Sequence, residues 1–350
     1  MDCARVIQLS LVIAFAIFIS PTQGLICNGM AEFCDLRINQ ATFAGTHNSG
    51  AGFDGILYYH TKIGLSFPAG SCWYRSQGQS ITKQLDNGIR YFDIDTCFVD
   101  SGRWEHGPWT CHSGAYGGPI RKMLHQIDEW MRRNPTEVVI IKFGRDTVKS
   151  KAQKIGNEIL KQMKNLWEPT KEKTSLKQLS LNDYRRQSWK WPTLGEAITT
   201  NQRIFLFMDH RLIGDNYYKY RWVYYTNYEI SLSWTPMNLI ESAGCSKLVD
   251  AIQKRCADSY YFDFMEMDLF LTWGLCVKHL ADWCNEYIDE ATKKCFDERS
   301  SRGRATANFI VVDWAGRTHG VNKIGEVAKR RNVQNVKFFT KQEINIIYIN

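Results

Sequence analysis

The amino-acid sequence predicts an α/β protein built as a (β/α) barrel of the TIM type. Apolar runs typical of strands buried on both faces recur along the chain, and helical stretches separate them. The chain has 350 residues, and a barrel of this type takes about 250 residues. A barrel therefore fits better than an open sheet, although it need not be regular or fully closed.

The first element is a predicted secretory signal peptide at residues 1–24, followed by one barrel domain at residues 25–350. Arg5 precedes an apolar run of about a dozen residues, and small residues lead up to Gly24. An uncleaved membrane anchor is the less favoured alternative, because a bilayer needs roughly 20 apolar residues. We therefore expect a secreted, extracellular protein.

The cysteines support export. Of the 11 cysteines only Cys3 lies in the signal peptide, which leaves an even number for an oxidising compartment. Disulfides are the favoured use, with Cys27–Cys34 as a local pair. A zinc site is the disfavoured alternative, because the chain contains no C-x-x-C pair.

One of the helices that connect the predicted strands is clearly indicated by the sequence. Between the second and third strands, apolar residues spaced as on one helix face run from Ile120 to Met131, and the sequence NPTE then ends the helix. A strand, a helix and a strand at this spacing indicate parallel pairing through a right-handed crossover. The strand-like runs lie at residues 41–46, 89–95, 137–143, 203–209, 229–234, 260–268 and 308–314.

Basic and aromatic segments suggest a surface role. The formal net charge is +8, and the aromatic segment at residues 216–225 suits a protein that contacts an anionic membrane. Ordinary packing of that segment is an equal alternative. The lysine-rich residues 149–177 are predicted to be a solvated helical face and a loop. Nucleic acid is disfavoured, because no binding module is recognisable.

Candidate site residues follow the strands, since the chemistry of such barrels lies at the carboxyl ends of the strands. Asp93 and Asp95 share one side of the second strand, and buried aspartates are costly unless they are paired or bind a metal. We therefore expect a cation between them. The other strand-end candidates are His47, Asn48, His112, Lys142, Asp146, Asp209, His210, Arg211 and Asp313.

Four motifs carry a family resemblance: GTHNS at residues 45–49, QLDNGIRYFDID at 84–95, CHSG at 111–114 and LHQIDEWMRRNPTEVVIIKF at 124–143. Together they resemble the catalytic X region of phosphatidylinositol-specific phospholipase C and its secreted relatives. The resemblance implies a PLC-like phosphodiesterase fold. It also implies a secreted phosphoric diester hydrolase that cleaves a phospholipid headgroup by acid/base catalysis.

The resemblance also implies roles for individual residues. His47 and His112 would be the two catalytic histidines, a residue type whose ordinary pKa lies near neutrality. Asn48, Asp93 and Asp95 match the calcium ligands of the eukaryotic members, so Ca²⁺ is the expected cofactor and Mg²⁺ the second choice. Gly144 is a departure, because those members end this strand with a glutamate.

Weaker assignments complete the expected site. Lys142 and Arg211 are candidates for substrate binding, while Asp313 would orient His47 and Asp146 is a further supporting candidate. A Cys97–Cys111 disulfide would close a loop between Asp95 and His112 and fix their spacing.

Two alternatives to a phospholipase C activity remain. One is a phosphodiesterase like sphingomyelinase D, which also joins two histidines to acidic metal ligands. The other is a non-catalytic lipid- or glycan-binding protein on the same fold. The sequence specifies neither the headgroup nor the oligomeric state.

Overall fold

A computed structural model provides the structure of the protein. It describes residues 24–53, 58–60, 66–68, 74–100, 104–145, 151–168, 179–183, 190–214, 219–232, 245–258, 263–269, 276–304 and 307–347. The predicted signal peptide therefore lies outside the described residues except for Gly24, and Asp146 lies outside them as well.

Parallel strands form a nearly closed barrel. With one exception, each barrel strand pairs with the next barrel strand along the chain, and the last strand pairs back onto the first, with Thr46 opposite Val312. Within the described residues no pairing joins β9 to β10, so one seam stays unsealed. This confirms the predicted barrel and its incomplete closure. The barrel strands are β1 Phe43–Thr46, β4 Tyr91–Val99, β7 Val139–Arg145, β8 Ile204–Met208, β9 Val223–Tyr225, β10 Ile230–Leu232, β11 Phe264–Leu269 and β12 Phe309–Val312.

An antiparallel extension rises from β4. Its last residues, from Thr96 to Val99, pair with β5 instead of continuing the barrel. The extension runs from β4 through β5 and β6 to β2 and β3. Its strands are β2 Tyr58–His60, β3 Ser66–Pro68, β5 Gly107–His112 and β6 Ala115–Pro119. His112 therefore ends a strand of this extension and not a strand of the barrel.

Helices cover the outside of the barrel. The predicted helix between the second and third predicted strands is α2, which follows Pro119 and ends before Asn134. The helices, numbered along the described residues, are α1 Ile81–Asp86, α2 Ile120–Arg133, α3 Ala152–Trp167, α4 Leu194–Thr199, α5 His210–Ile213, α6 Thr226–Glu229, α7 Cys245–Asp258, α8 Val277–Cys284, α9 Ile288–Ser300 and α10 Ile324–Ile347. No helix in the described ranges is long and apolar enough to cross a membrane.

Two apolar layers meet at the strands. Phe92 and Ile94 of β4 face the helices, whereas Tyr91 packs inside the barrel among aromatic rings. The Tyr91 and Phe309 rings stack with centroids 4.0 Å apart. Gly45 makes room for this stack, since a Cβ there would lie 2.7 Å from the Tyr91 ring. The interior of the barrel thus contains an apolar layer below the carboxyl ends of the strands.

Both expected disulfides are present. Cys27 bonds to Cys34, and Cys97 bonds to Cys111, which ties β4 to β5 directly before His112. Two further disulfides involve α7. Cys245–Cys284 joins α7 to the end of α8, and Cys256–Cys295 joins α7 to α9.

Candidate active site

His47 and Asp313 follow adjacent parallel strands. Because Thr46 is opposite Val312 at the ends of β1 and β12, the next residue of each strand lies beside the other. The Nδ1 atom of His47 is 2.9 Å from Oδ1 of Asp313, and Asp313 is only 3% exposed. A carboxylate accepts hydrogen bonds, so Nδ1 carries a proton. Asp313, which the sequence suggests as the partner of His47, thus lies within hydrogen-bond distance of it.

Acidic neighbours favour the charged form of His47. Burial by itself lowers the pKa of the imidazolium, but the charge and hydrogen bond of Asp313 and the charges of Asp93 and Asp268 raise that pKa from 6.5 to about 9.

His112 faces His47 from the antiparallel extension. The two ring centroids are 5.6 Å apart, and the rings are nearly perpendicular. The Nδ1 atom of His112 lies 2.9 Å from the carbonyl oxygen of Tyr74 and 3.3 Å from Oγ of Ser76. Because a carbonyl only accepts, Nδ1 is protonated, and proton exchange with a substrate falls to Nε2.

Lys142 lies in the centre of the barrel. It is adjacent to Asp93 in the β4–β7 pairing, and its Nζ atom is 3.0 Å from Oδ1 of Asp93. Nζ also lies 2.6 and 2.7 Å from the two carboxylate oxygens of Glu266 on β11. Burial opposes the charged form, yet these acidic groups raise the pKa of Lys142. Lys142 is therefore a permanent buried cation held by two carboxylates.

Sequence reasoning missed three members of this network. Glu266 and Asp268 are both buried on β11, and the hydroxyl of Tyr91 donates to Glu266. Burial and the nearby Glu266 charge raise the pKa of Asp268. Glu266 and Asp268 have the same i, i+2 spacing in an apolar strand as Asp93 and Asp95, and that signal could have identified them.

Asp95 lies opposite Gly144 in the β4–β7 pairing. A Cβ at Gly144 would lie 2.6 Å from Oδ1 of Asp95, so the carboxylate occupies the space into which a longer residue-144 side chain would project. The hydrogen bonds from the Arg211 guanidinium to both oxygens of Asp209 raise the pKa of Arg211, and the charge of Asp95 adds to this effect. Arg211 thus stands near Asp95 at the carboxyl end of the barrel.

The donors around Asn48 partly fit a hard cation. Asn48 adopts a left-handed backbone with φ 42°, and its buried Oδ1 atom has no hydrogen-bond partner among the described residues. Its Nδ2 atom is 2.9 Å from Nε2 of His47. The N–H of Ser49 donates to the carbonyl of Asp93 at 2.7 Å, which places the end of β1 beside β4. One amide oxygen and two aspartates are suitable ligands for Ca²⁺ or Mg²⁺.

The donor set is incomplete in two respects. Within the described ranges no group of three or more His, Cys, Asp or Glu is arranged to hold a metal ion. In addition, Asp93 is already paired with the ammonium of Lys142. A cation at this place would share Asp93 with Lys142, and water or substrate oxygens would complete its coordination.

The chain is similar to proteins of one family. A family model described as PI-PLC X 1 matches residues 33–233. A protein of Arthroderma benhamiae named PI-PLC X domain-containing protein 1 is 31% identical over 196 residues, which cover 55% of this chain and 53% of that protein. An uncharacterized secreted protein of the same fungus is 26% identical, and the match covers 54% of this chain and 36% of that protein. The chain thus spans about half or less of these curated relatives.

Solved structures show the same fold. The phosphatidylinositol-specific phospholipase C of Listeria monocytogenes matches with a TM-score of 0.52 at 12% identity, covering 87% of this chain and 97% of that one. The F249X mutant of the Staphylococcus aureus enzyme matches with a TM-score of 0.55 at 17% identity, covering 85% and 96%. The fold is therefore the PI-PLC barrel, and since the family model covers more than half of its residues, the chain belongs to the PI-PLC X family.

Proposed function

We propose that the protein is a phosphoric diester hydrolase of the phospholipase C type, acting on a phospholipid. The observation that carries this proposal is the pair of facing histidines at the carboxyl end of the barrel, 5.6 Å apart between ring centroids. Each has its Nδ1 atom fixed by an acceptor, Asp313 for His47 and the Tyr74 carbonyl for His112. Such a pair can take one proton and give another in a single displacement.

In the proposed reaction the neutral form of His47, whose share grows as the pH rises toward 9, acts as the general base. Its Nε2 atom accepts the proton of the attacking hydroxyl as that oxygen bonds to phosphorus, and Asp313 stabilises the resulting imidazolium. His112 donates a proton to the leaving oxygen as the bond between that oxygen and phosphorus breaks. If the attacking group is a hydroxyl of the headgroup, the products are a cyclic phosphate and a diacylglycerol.

We propose Ca²⁺ as the cofactor, with Mg²⁺ as the second choice, held by Asn48, Asp93 and Asp95. The unpartnered Oδ1 atom of Asn48 supports this proposal, as does the raised pKa of Asp268, which burial and the nearby charges of Glu266 and Asp93 cause. When bound, the cation would offset the negative charge of the phosphate and lower the pKa of a coordinated hydroxyl. Lys142 and Arg211 would add positive charge from the chain itself, with Lys142 acting through the carboxylates it pairs with.

We further propose that the protein is secreted and contacts the membrane surface peripherally. The disulfides and the relative named as a secreted protein support export. Trp283 is 50% exposed and Val321 is 68% exposed. Trp283 lies on α8, which follows β11, and Val321 lies between β12 and α10. Trp222 and Tyr224 of the aromatic segment are buried, so packing accounts for those two residues.

Headgroup release from vesicles tests the activity. Vesicles of phosphatidylinositol and of sphingomyelin would each be incubated with the protein and Ca²⁺, and the products identified by ³¹P NMR and mass spectrometry. We expect a phosphorylated headgroup and diacylglycerol from phosphatidylinositol. Release of choline that leaves the phosphate on the lipid would indicate an activity like that of sphingomyelinase D. Absence of turnover by the folded, metal-bound protein would indicate a binding protein.

A further inference from the structure

One short segment contacts the surroundings of both histidines. It runs from Tyr74 to Gly78 and lies beside the carboxyl ends of β1 and β12. The backbone N–H of Gln77 donates to the carbonyl of Ala51 at 3.1 Å, and Nε of Arg75 donates to the carbonyl of Gln77 at 3.0 Å. The segment is therefore held by one backbone bond to Ala51 and by one side-chain bond within itself.

The side-chain amide of Gln77 joins the two strands that carry His47 and Asp313. Its Nε2 atom donates to the carbonyl of His47 and to the carbonyl of Val312, each at 3.0 Å. Its Oε1 atom accepts from the N–H of Ala315 at 3.2 Å. Gln77 is 1% exposed, so loss of these bonds would leave buried polar groups unsatisfied. The three bonds bracket Asp313 on both sides and hold His47 beside it.

The same segment supplies the acceptors for His112. The Tyr74 carbonyl lies 2.9 Å and the Ser76 hydroxyl 3.3 Å from Nδ1 of His112. Ser76 is one peptide unit from Gln77 and the Tyr74 carbonyl is three peptide units from it, so a displacement of Gln77 should reach both contacts to His112 through the backbone. No direct bond between the histidines is needed for this coupling.

Trp314 explains why such support is required. It directly follows Asp313 and has left-handed backbone angles, φ 48° and ψ 50°, which are costly for a residue other than glycine. Its N–H donates to the carbonyl of Ser76 at 2.7 Å, and its indole Nε1 donates to the carbonyl of Arg75 at 2.8 Å. A Cβ at Gly78 would lie 2.4 Å from the Trp314 ring. The segment thus holds the strained turn that directs Asp313 toward His47.

We propose that Gln77 is a positioning residue: its buried amide holds His47 and Asp313 in contact, and the segment from Tyr74 to Gln77 couples that pair to His112. The catalytic meaning of this coupling rests on the proposed function. The same segment positions both imidazoles whether or not the protein has the proposed activity.

Substituting Gln77 with methionine tests the proposal, because methionine has a similar length and makes none of the three bonds. Asn308 offers a matched control at the opposite end of β12. Its Nδ2 atom donates to the carbonyls of Asn39 and Ala41 at 2.9 and 3.1 Å, and its Oδ1 atom accepts from the N–H of Met265 at 3.0 Å. Asn308→Leu therefore removes the same kinds of bonds from a fully buried residue far from the histidines.

The first readout is the set of ¹H and ¹⁵N imidazole resonances, recorded below the unfolding temperature of every variant. We expect Gln77→Met to shift the resonances of both His47 and His112, although the three bonds of the Gln77 amide go to the backbone of His47, Val312 and Ala315. Asn308→Leu should lower the free energy of unfolding and leave the imidazole resonances of both His47 and His112 unchanged. If Gln77→Met does not fold, Trp314→Phe, which lacks the indole bond to Arg75, should give smaller shifts in both histidines.

The second readout is kinetic and applies once a substrate is turned over. Gln77→Met should lower kcat by about tenfold or more, as expected for misplaced reacting groups, with little change in KM. Unchanged imidazole resonances in the folded Gln77→Met protein, or shifts in His47 without shifts in His112, would overturn the proposal. Absence of turnover by the unsubstituted protein would contradict the proposed function and leave the resonance test intact.

Discussion

At the scale of single residues, carboxylates set the charge of the site. Asp313, Asp93 and Asp268 raise the pKa of His47, and Asp93 and Glu266 hold the charge on Lys142. Each of these groups is buried or half-buried, so water screens the interactions only weakly. The protonation of His47 should therefore affect folding stability as well as chemistry.

Stability should depend on pH through His47. A pKa raised from 6.5 to about 9 contributes stability that is fully present below pH 6.5 and is lost as the pH rises through 9. A pKa shift of this size contributes at most about 3 kcal/mol to the free energy of unfolding. Urea unfolding of the unsubstituted protein and of His47→Ala, both in chelator, would measure the contribution of His47 to the free energy of unfolding. We expect the free-energy difference between them to be larger at pH 6 than at pH 10. Equal differences at the two pH values would contradict the assigned pairing with Asp313.

Asp95 should control the affinity for the cation. Replacing Asp95 with asparagine removes one negative charge from the proposed ligand set, so Ca²⁺ should bind more weakly and excess Ca²⁺ should partly restore turnover. Calorimetric Ca²⁺ titration measures this effect. Asp282→Asn is the control, because Asp282 is an exposed partner of Arg317 outside the proposed ligand set. Equal Ca²⁺ affinity in both variants would exclude Asp95 as a ligand.

Several residues of the candidate site were predictable because each lies near the predicted end of a strand. His47, Asp93, Lys142 and Asp313 were found this way, and the structure brings them together. Glu266 was missed although its spacing to Asp268 carried the same signal. Gln77 was not predictable, because its three bonds depend on the register of β1 beside β12 and on a loop that no local pattern defines.

At the scale of elements, the antiparallel extension positions the second histidine. β4 was predicted to end at Asp95 but continues to Val99, because its last residues pair with β5 outside the barrel. β5 contains glycine and proline and lacks strict alternation, so its residue pattern only weakly indicates a strand. The Cys97–Cys111 bond then fixes this pairing one residue before His112.

Removing that disulfide should affect both stability and activity. A double substitution of Cys97 and Cys111 by serine opens a loop whose closure is worth about 3 kcal/mol in the chain-entropy model, and it frees the strand that carries His112. Denaturant unfolding and turnover would be measured in parallel. The matched control replaces Cys27 and Cys34, whose disulfide packs with Phe33 and Leu36 and not with the histidines.

The two double variants should differ in activity. We expect the control to lose stability while keeping its turnover per folded molecule, whereas the Cys97 and Cys111 variant should lose turnover even at temperatures where it is fully folded. Full turnover in the folded Cys97 and Cys111 variant would mean that β5 positions His112 without the bond.

At the scale of the whole molecule, the interior of the barrel consists of an apolar layer and a charged layer. Aromatic rings such as Tyr91 and Phe309 fill the interior below, and the histidines, carboxylates and Lys142 lie above them. The barrel class was predictable because buried parallel strands have distinctive apolar runs. The open seam between β9 and β10 was not located in advance, since β9 is only three residues long and lies inside an aromatic segment.

The net charge of the molecule and the charge of its site have opposite signs. The chain carries a formal charge of +8, which favours approach to an anionic lipid surface. The site itself contains several carboxylates around Lys142 and His47. A phosphate entering such a site needs additional positive charge, which is the physical reason to expect a cation there.

The central claim is that His47 and His112 together cleave a phosphodiester with the help of a cation. The most direct test measures phosphorylated headgroup release from phosphatidylinositol vesicles by the unsubstituted protein, His47→Ala and His112→Ala, each with Ca²⁺ and with excess chelator. We expect each substitution to lower turnover by about 10²-fold or more, and we expect chelation to abolish the turnover of the unsubstituted protein. Turnover within about tenfold of the unsubstituted protein in either folded variant would contradict the two-histidine mechanism, and undiminished turnover in chelator would contradict the role of the cation.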